Sequence, residues 1–307
     1  MLLSSIDVGS NTIRLLIGRV EGGKIIRLRT GMVITRLAVG IGETGLLNPD
    51  NMEKSISVLK VFSDIISAYD ISHIKAVGTS ALREAKNAEE FRQRVLSETE
   101  INIEVISGEE EAELTARGVL FNLQETDSFL IVDIGGGSTE WIFFRNSFPV
   151  EIGTIPTGVV KLFDNHIKSD PPSKDDILSL KKESDTVLSR VKTQMGHLIN
   201  SRTVFIGTGG TITTLASIDI GLESYDHEKI HSHNISLEKL NDISGRLISI
   251  PLNERKKMIG LEPERSDLII PGILFTINIM KLFGFDNILV SDNGLLEGVL
   301  IKLSERV

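Results

Sequence analysis

The sequence predicts an α/β protein with two domains, and three observations support this fold class. A pattern of strand, aspartate, one residue, glycine, turn and second strand occurs at Asp7 and again at Asp133. Short runs rich in Val and Ile alternate with longer segments of helical periodicity, as is typical of α/β folds. The chain has 307 residues, a length that fits two domains. The repeated pattern therefore suggests two similar halves produced by duplication.

Composition and charge exclude several classes of function. The sequence contains no cysteine, so disulfides and Cys-ligated zinc or iron–sulfur sites are excluded. The net charge is −9, whereas general binding to nucleic acid or anionic membranes relies on a basic surface. The N-terminus has no signal-peptide pattern, and no apolar run approaches the roughly 20 residues of a spanning helix. We expect a soluble, cytoplasmic protein without nucleic-acid or membrane partners.

Each element is predicted from its periodicity and its boundary residues. Runs of β-branched and apolar residues predict strands at 3–8, 13–20, 24–28, 32–37, 74–78, 101–106, 129–132, 141–144, 203–206 and 287–290. Apolar residues at helical spacing predict helices at 49–69, 88–97, 109–122, 159–167, 174–199, 211–218, 262–280 and 295–303. Asn48 or Asp50, Thr79 or Ser80, and Ser107 are the expected helix caps in the first half.

The stretch Leu130–Phe143, LIVDIGGGSTEWIF, carries the clearest chemical signal. Its three glycines allow positive φ and close approach of a ligand, and the exposed N–H groups of such a turn suit phosphate oxygens. Asp133 and Glu140 border the turn. Acids beside a phosphate repel it unless a cation lies between them, and Mg²⁺ (or Mn²⁺) binds through one or two carboxylates, water and phosphate oxygens. The residues predicted here are Asp133 and Glu140 for the metal and Gly135, Gly136, Gly137 and Ser138 for phosphate.

Two other loops fit the same chemistry. Superimposing Asp7 on Asp133 matches Gly9 with Gly135 and Ser10 with Gly136, which suggests a second phosphate loop that includes Asn11. The run Gly207–Thr211 follows a strand and precedes a helix, an arrangement that suits a phosphate or ribose at a helix N-terminus. The residues of this third loop are Gly207, Thr208, Gly209 and Gly210. It has neither the Gly-Lys-Ser/Thr of a Walker loop nor a GxGxxG fingerprint.

Glu111 and Arg83 are candidates for catalysis. Glu111 lies in the acidic first turn of the helix after Ser107, where acids also suit the helix dipole. A carboxylate at this position can act as a general base on water. Arg83 follows strand 74–78, near its carboxyl end, where ligands of open α/β sheets tend to bind. The structural alternative for Arg83 is a surface arginine on a capped helix.

Several motifs together resemble one family. They are Asp7-x-Gly-Ser-Asn, Gly78-Thr-Ser-Ala-Leu-Arg83, Ser107-Gly-x-Glu-Glu-Ala112, Asp133-Ile-Gly-Gly-Gly-Ser-Thr-Glu140, Ile155-Pro-Thr-Gly158, Gly207-Thr-Gly-Gly-Thr211, Glu264-Arg265-Ser-Asp267 and Gly294-Leu-Leu-Glu-Gly298. In this order they are similar to the exopolyphosphatase / guanosine pentaphosphate phosphatase (Ppx/GppA) family of the actin–Hsp70–sugar kinase superfamily. The resemblance covers essentially the whole chain.

The resemblance implies a fold of two actin-like (ribonuclease H-like) α/β domains with a central cleft. One domain would comprise residues 1–122 plus about 293–307, because the last helix returns to it, and the other residues 123–292. The crossover is expected near residues 121–127. We also expect a homodimer.

The resemblance also implies a role for each matching residue. Glu111 corresponds to the glutamate that activates the attacking water, and Asp133 and Glu140 correspond to the magnesium acids. Asp7 corresponds to the acid that orients metal or water, and Arg83 to a phosphate-binding arginine. Arg265, which begins the helix that ends at Met280, is a further candidate phosphate ligand.

The expected activity is release of terminal phosphate from inorganic polyphosphate or guanosine pentaphosphate by water. Longer members of the family carry an additional C-terminal helical region, so we expect action on short polyphosphate with low processivity. One alternative is an ATP-dependent kinase or ATPase of the same superfamily. Another is a non-catalytic sensor of nucleotide or polyphosphate, although three acids around a polyanion argue against a pure binder.

Three features have no assigned function. His227, His231 and His233 lie in a polar stretch, and surface or substrate-rim positions are favoured over metal binding because their spacing is uninformative. Arg255-Lys256-Lys257 is expected to be a solvated helix face. Leu296 stands where the family usually has arginine.

Overall fold

A computed structural model describes residues 1–69, 71, 73–121, 128–146 and 148–305. The chain forms two compact units, Met1–Gln124 with Asn293–Val307, and Glu125–Asp292. The expected crossover at 121–127 lies outside the described residues except for Phe121. No helix in the described part of the chain is long and apolar enough to cross a membrane.

The described strands and helices follow in chain order. The strands are β1 (Leu3–Val8), β2 (Thr12–Glu21), β3 (Lys24–Ile34), β4 (Ile74–Gly78), β5 (Ile103–Val105), β6 (Ser128–Ile134), β7 (Thr139–Arg145), β8 (Phe148–Ile155), β9 (Thr203–Thr208), β10 (Asn234–Ser236) and β11 (Asn287–Val290). The helices are α1 (Ile41–Thr44), α2 (Pro49–Ala68), α3 (Ser80–Glu84), α4 (Ala88–Thr99), α5 (Gly108–Val119), α6 (Val159–His166), α7 (Lys174–Met195), α8 (Gly209–Ile220), α9 (His227–Ile230), α10 (Leu237–Ser249), α11 (Leu252–Arg255), α12 (Ile269–Phe283) and α13 (Leu295–Ser304). Short 3₁₀ helices cover Gly196–Leu198 and Pro263–Arg265.

The two sheets share one topology. The first sheet has the order β3-β2-β1-β4-β5, with β1, β2 and β3 antiparallel and β4 and β5 parallel to β1. The second has the order β10-β11-β9-β6-β7-β8, in which β6, β7 and β8 are antiparallel and β9 and β11 continue parallel to β6. Apart from the added edge strand β10, each strand of one sheet has a counterpart in the other.

The local sequence explains where the site-bearing helices begin. The Asn48 side chain accepts a hydrogen bond from the Asp50 N–H, and Pro49 occupies the first turn of α2. The Ser107 hydroxyl accepts from the Glu110 N–H at 3.1 Å and caps α5, the helix that carries Glu111. Thr79 precedes α3, but its side chain makes no cap hydrogen bond.

Helix α13 packs backbone to backbone on α5 within the first unit. A Cβ at Gly298 would lie 1.7 Å from the Leu114 carbonyl oxygen, and one at Gly118 would lie 2.0 Å from the Gly294 carbonyl oxygen. Only glycine permits this approach. Leu296 is buried and packs with Leu3, Leu16 and Leu300, so the position holds an apolar core residue in this chain.

Two sequence-based expectations about the second unit were incomplete or wrong. No element was predicted from the sequence for residues 148–155, but they form β8. Arg255 was expected on a solvated face and is buried instead. Its guanidinium donates to the carbonyl oxygens of Ser266 and Ile250 and, at 2.7 Å, to the carboxylate of Asp170. The backbone carbonyls satisfy the donors that a buried arginine brings with it.

Candidate active site

The first hairpin loop places an acid at the end of β1 and pairs it with an arginine. Asp7 lies directly opposite Arg14 across β1 and β2, and its Oδ2 accepts from both Nε (2.9 Å) and Nη2 (2.7 Å) of Arg14. The other oxygen, Oδ1, is buried and has no hydrogen-bond partner among the described residues. Buried polar atoms are nearly always paired, so this oxygen is suited to a water or a ligand.

The turn of this loop is also held in place. The Gly9 N–H donates to the Thr12 carbonyl at 2.9 Å. The backbone N–H groups of residues 35 and 36 donate to the Asn11 carbonyl, and that of residue 38 donates to the Ser10 carbonyl. The Ser10 hydroxyl and Asn11 Oδ1 are buried and unpaired within the described structure, as Asp7 Oδ1 is. Three neighbouring side chains thus present unsatisfied oxygen atoms, which fits the predicted role in binding a ligand.

The second hairpin loop has the same backbone but a different charge. The Gly135 N–H donates to the Ser138 carbonyl at 3.0 Å. Asp133 lies directly opposite Glu140 across β6 and β7, and both residues are buried. Side chains directly opposite on an antiparallel pair share one face and lie close together, and like charges there are destabilising. The Thr154 hydroxyl donates to Glu140 Oε1 at 3.0 Å.

The loop glycines serve mainly to let neighbouring atoms approach the backbone closely, rather than to provide a left-handed backbone conformation. Among the loop glycines, all of which lie in described parts of the chain, only Gly209 has a positive φ, of 86°. Positive φ is therefore not what the turn 135–137 needs. A Cβ at Gly158 would lie 2.5 Å from the Gly136 carbonyl oxygen, and the Val160 N–H donates to that carbonyl at 2.8 Å. The start of α6 thereby fixes the second loop.

The third loop connects two predicted site residues within the second unit. Asp133 lies opposite Thr208 in the parallel pair β6 and β9, and a Cβ at Gly209 would lie 2.3 Å from Asp133 Oδ1. A Cβ at Gly210 would lie 2.1 Å from Arg265 Nη1. The glycines of this loop let a carboxylate and a guanidinium rest against its backbone, so the structure brings Asp133, Arg265 and the loop together.

Glu111 and Arg83 form an ion pair in the first unit. Arg83 Nη1 donates to Glu111 Oε2 at 2.6 Å and to the Ile106 carbonyl at 3.1 Å, and Glu111 is buried. The neighbouring Glu109 has a pKa below its ordinary value. The main cause is a hydrogen bond from its own backbone N–H, followed by one from the Ser107 hydroxyl, and the charge of Arg83 adds to these. Arg83 is therefore not a plain surface arginine.

A divalent cation fits the second hairpin loop on chemical grounds. No group of three or more His, Asp or Glu residues in the described structure could hold a metal by itself. Two opposed, buried carboxylates nevertheless supply the oxygen ligands that Mg²⁺ uses, and Mg²⁺ commonly completes its shell with water and substrate phosphate. Asp133 and Glu140 would be the ligands, and the cation would relieve their mutual repulsion.

Arg14 and Thr154 are the site neighbours that sequence reasoning missed. Arg14 follows Asp7 at the same spacing at which Glu140 follows Asp133, so extending the alignment of the two loops would have found it. Thr154 lies on β8, the strand that was not predicted. The three histidines lie in the second unit outside the three loops, and His227 pairs with Asp292 and His233 with Asp219.

Two α/β units with one strand order, each with an acidic glycine hairpin at the end of its central strand, define a protein of the two-domain, actin-like class. The model of the Ppx/GppA phosphatase family matches residues 16–307. The chain belongs to this family. The resemblance and the fold class predicted from the sequence are therefore confirmed.

Individual relatives agree with this assignment. A crystal structure of the Aquifex aeolicus family member has 32% identity and a TM-score of 0.82, covering 100% of this chain and 98% of that one. An exopolyphosphatase from Cytophaga hutchinsonii has 30% identity and a TM-score of 0.92, with coverage of 100% and 99%. Exopolyphosphatase 2 of Mycobacterium tuberculosis is 26% identical, and the match covers 98% of both chains.

Two other relatives are longer proteins. The bifunctional 3-dehydroquinate synthase/phosphatase of Fusobacterium nucleatum is 32% identical over 98% of this chain, which spans 46% of its length. The guanosine-5'-triphosphate,3'-diphosphate pyrophosphatase of Aeromonas hydrophila is 28% identical over 98% of this chain, which spans 59% of its length. The sequence thus corresponds to about half of these proteins.

Proposed function

We propose that this chain is a phosphoanhydride hydrolase that releases terminal phosphate from inorganic polyphosphate or from guanosine pentaphosphate. The names of the relatives, exopolyphosphatase and guanosine-5'-triphosphate,3'-diphosphate pyrophosphatase, support this substrate class. The observation that carries the proposal is the buried, directly opposed pair Asp133 and Glu140 on a glycine hairpin. Two carboxylates in this position suit a cation that is shared with a phosphate.

The phosphate-binding role falls to the three loops and Arg265. The fixed turns present backbone N–H groups to phosphate oxygens without reorganisation, which is how preorganised donors stabilise developing charge. Arg265 lies against Gly210 of the third loop, and its guanidinium, which also pairs with Glu262, would bring positive charge there. Magnesium (or manganese) bound by Asp133 and Glu140 would neutralise phosphate charge. These groups supply the charge neutralisation that phosphoryl transfer requires.

Glu111 would orient the attacking water and accept its proton. Its carboxylate is held by Arg83 Nη1, which fixes the orientation of the proposed base. A guanidinium has five N–H donors, and Arg83 can therefore hold Glu111 and contact a phosphate at the same time. Asp7 Oδ1, buried and unpaired in the described structure, would hold a second water or the cation. Water as the acceptor makes the reaction a hydrolysis rather than a kinase reaction.

Phosphate release with Mg²⁺ tests the proposal. We expect release from triphosphate, short polyphosphate or guanosine pentaphosphate by the wild type, and a loss of about 10²–10⁴-fold in Glu111→Gln, because a general base contributes that much. Glu113→Gln is the matched control, since Glu113 is exposed on the same helix. Absence of release from all three substrates, or consumption of ATP alone, would contradict the proposal and favour the kinase or ATPase alternative.

A further inference from the structure

A cluster of polar side chains lies beside the third loop, at the carboxyl edge of the second sheet. Strand β11 runs parallel to β9, and β9 runs parallel to β6. The Ser291 N–H donates to the Gly207 carbonyl at 2.8 Å, so the end of β11 adjoins the third loop. Neighbouring strands are about 4.8 Å apart, which places the end of β11 about 10 Å from β6 and Asp133 along the same edge.

Asp292, the next residue, organises this cluster. Its carboxylate accepts hydrogen bonds from the Tyr225 hydroxyl and from His227 Nδ1–H. Its backbone N–H points to His231 Nδ1 at 3.4 Å, and the His227 and His231 rings stack with centroids 5.8 Å apart. The His227 side chain is 32% exposed, whereas that of Asp292 is 15% exposed. The histidine ring is therefore held in one orientation and still open to solvent.

This arrangement gives His227 the properties of an anion-binding group. A ring whose Nδ1–H donates to a carboxylate has a fixed orientation, and Nε2 is then the second site for a proton. A histidine ring that carries protons on both nitrogens is a charged hydrogen-bond donor. The other charged groups near it are Asp226, Glu228 and Lys229 on α9 and Asp219 on α8. Lys229 pairs with Asp226, and Asp219 pairs with His233 and Lys239.

We propose that His227 binds a phosphoryl group of the substrate beyond the one that is cleaved, with Asp292 as its positioning residue. The inference rests on the proposed function, because it assumes that the terminal phosphate lies at the Asp133 hairpin. Because the end of β11 lies about 10 Å from β6, we expect a chain of four phosphates, but not a pyrophosphate, to extend from the hairpin to it. His227 would therefore select substrates with several phosphates.

Binding measured without turnover tests the inference. Tetraphosphate and pyrophosphate are titrated calorimetrically with Mg²⁺ at pH 6 into the Glu111→Gln protein, with and without His227→Gln. Loss of a charged hydrogen bond should weaken tetraphosphate binding about tenfold and leave pyrophosphate within about twofold. His233→Gln is the matched control, because His233 also pairs with an aspartate, at 2.8 Å, in the same unit. Unchanged tetraphosphate affinity, or equal weakening of both ligands, would overturn the inference.

The Asp292→Asn variant tests whether Asp292 positions His227 for binding or only stabilises the fold. We expect it to weaken tetraphosphate binding as His227→Gln does and to change the ¹⁵N chemical shifts of the His227 ring, with unchanged thermal stability. Unchanged shifts would overturn the assignment of Asp292. Phosphate release by the protein with intact Glu111 is measured separately. If release fails while the tetraphosphate preference persists, the hydrolase proposal is wrong and the binding role of His227 stands.

Discussion

The two hairpin loops have the same backbone arrangement, but the residue opposite the aspartate is positively charged in one loop and negatively charged in the other. In both, an aspartate ends the central strand, a glycine N–H closes the turn at 2.9 or 3.0 Å, and a charged residue follows directly opposite the aspartate. In the first loop that residue is Arg14, which neutralises Asp7, and in the second it is Glu140, which adds a second negative charge beside Asp133. The first loop thus pairs its aspartate with an arginine, whereas the second places two carboxylates opposite each other.

The correspondence extends to the next strand of each sheet. Gly78 is the last residue of β4, and Gly207 lies at the end of β9. In each sheet, the residue just after the next parallel strand donates its N–H to the carbonyl of this glycine. The distances are 3.1 Å from Ile106 to Gly78 and 2.8 Å from Ser291 to Gly207. A Cβ at either glycine would lie 2.5 Å from an apolar side chain. The two loops therefore share a backbone scaffold and differ in the residue opposite the aspartate.

Replacing Glu140 by arginine, which gives the second loop the charges of the first, should have the largest effect on phosphate release. In Glu140→Arg, the new guanidinium would pair with Asp133 and replace the cation. We expect Mg²⁺-dependent phosphate release to fall by at least about 10²-fold, because metal charge stabilisation is worth several kcal/mol. Glu151→Arg, on β8 in the same sheet, is the control and should keep most of the activity. Release within tenfold of wild type in Glu140→Arg would contradict the metal assignment.

The converse change, Arg14→Glu, should act first on stability. It removes the partner of a buried carboxylate and puts a second one opposite, so the free energy of unfolding should fall by about 3–5 kcal/mol. Divalent cations should restore part of this loss, as measured by urea unfolding with and without Mn²⁺. Arg19→Glu, exposed on the same strand, should change stability by less than about 1 kcal/mol. If Mn²⁺ does not reduce this loss in the free energy of unfolding, the new pair of carboxylates does not bind a cation, and the proposed similarity of the two loops is wrong.

Removing the hydroxyl behind Glu140 should have the smallest effect. Thr154→Val deletes the hydrogen bond to Glu140 Oε1, and outer-shell partners of metal ligands typically change metal affinity 10–100-fold. We expect the Mg²⁺ concentration for half-maximal phosphate release to rise about tenfold, with little change at saturating Mg²⁺. Thr154→Ser keeps the donor and should behave as wild type. A loss of activity that Mg²⁺ does not reverse would show that Thr154 has another role.

The sequence was informative where local patterns determine structure. Strand–acid–glycine spacing predicted both hairpins, because the turn and the register depend on neighbouring residues. Arg14 was missed because the alignment of the two loop sequences ended at the turn and did not reach the position that corresponds to Glu140. Thr154, the Arg83–Glu111 pair and the His227–Asp292 pair depend on contacts between residues far apart in sequence. Arg255 was mistaken for a surface residue because three successive basic residues resemble a solvated face, whereas its burial depends on carbonyls from other segments.

Counting the bound manganese ions tests most directly whether the residue opposite the aspartate decides where a cation binds. Mn²⁺ binding is measured by electron paramagnetic resonance on the wild type, Glu140→Arg and Arg14→Glu proteins. We expect one site in the wild type, none in Glu140→Arg and two in Arg14→Glu, because each opposed pair of carboxylates should create one site. Retention of the wild-type site in Glu140→Arg would contradict the claim that the residue opposite the aspartate decides where the cation binds.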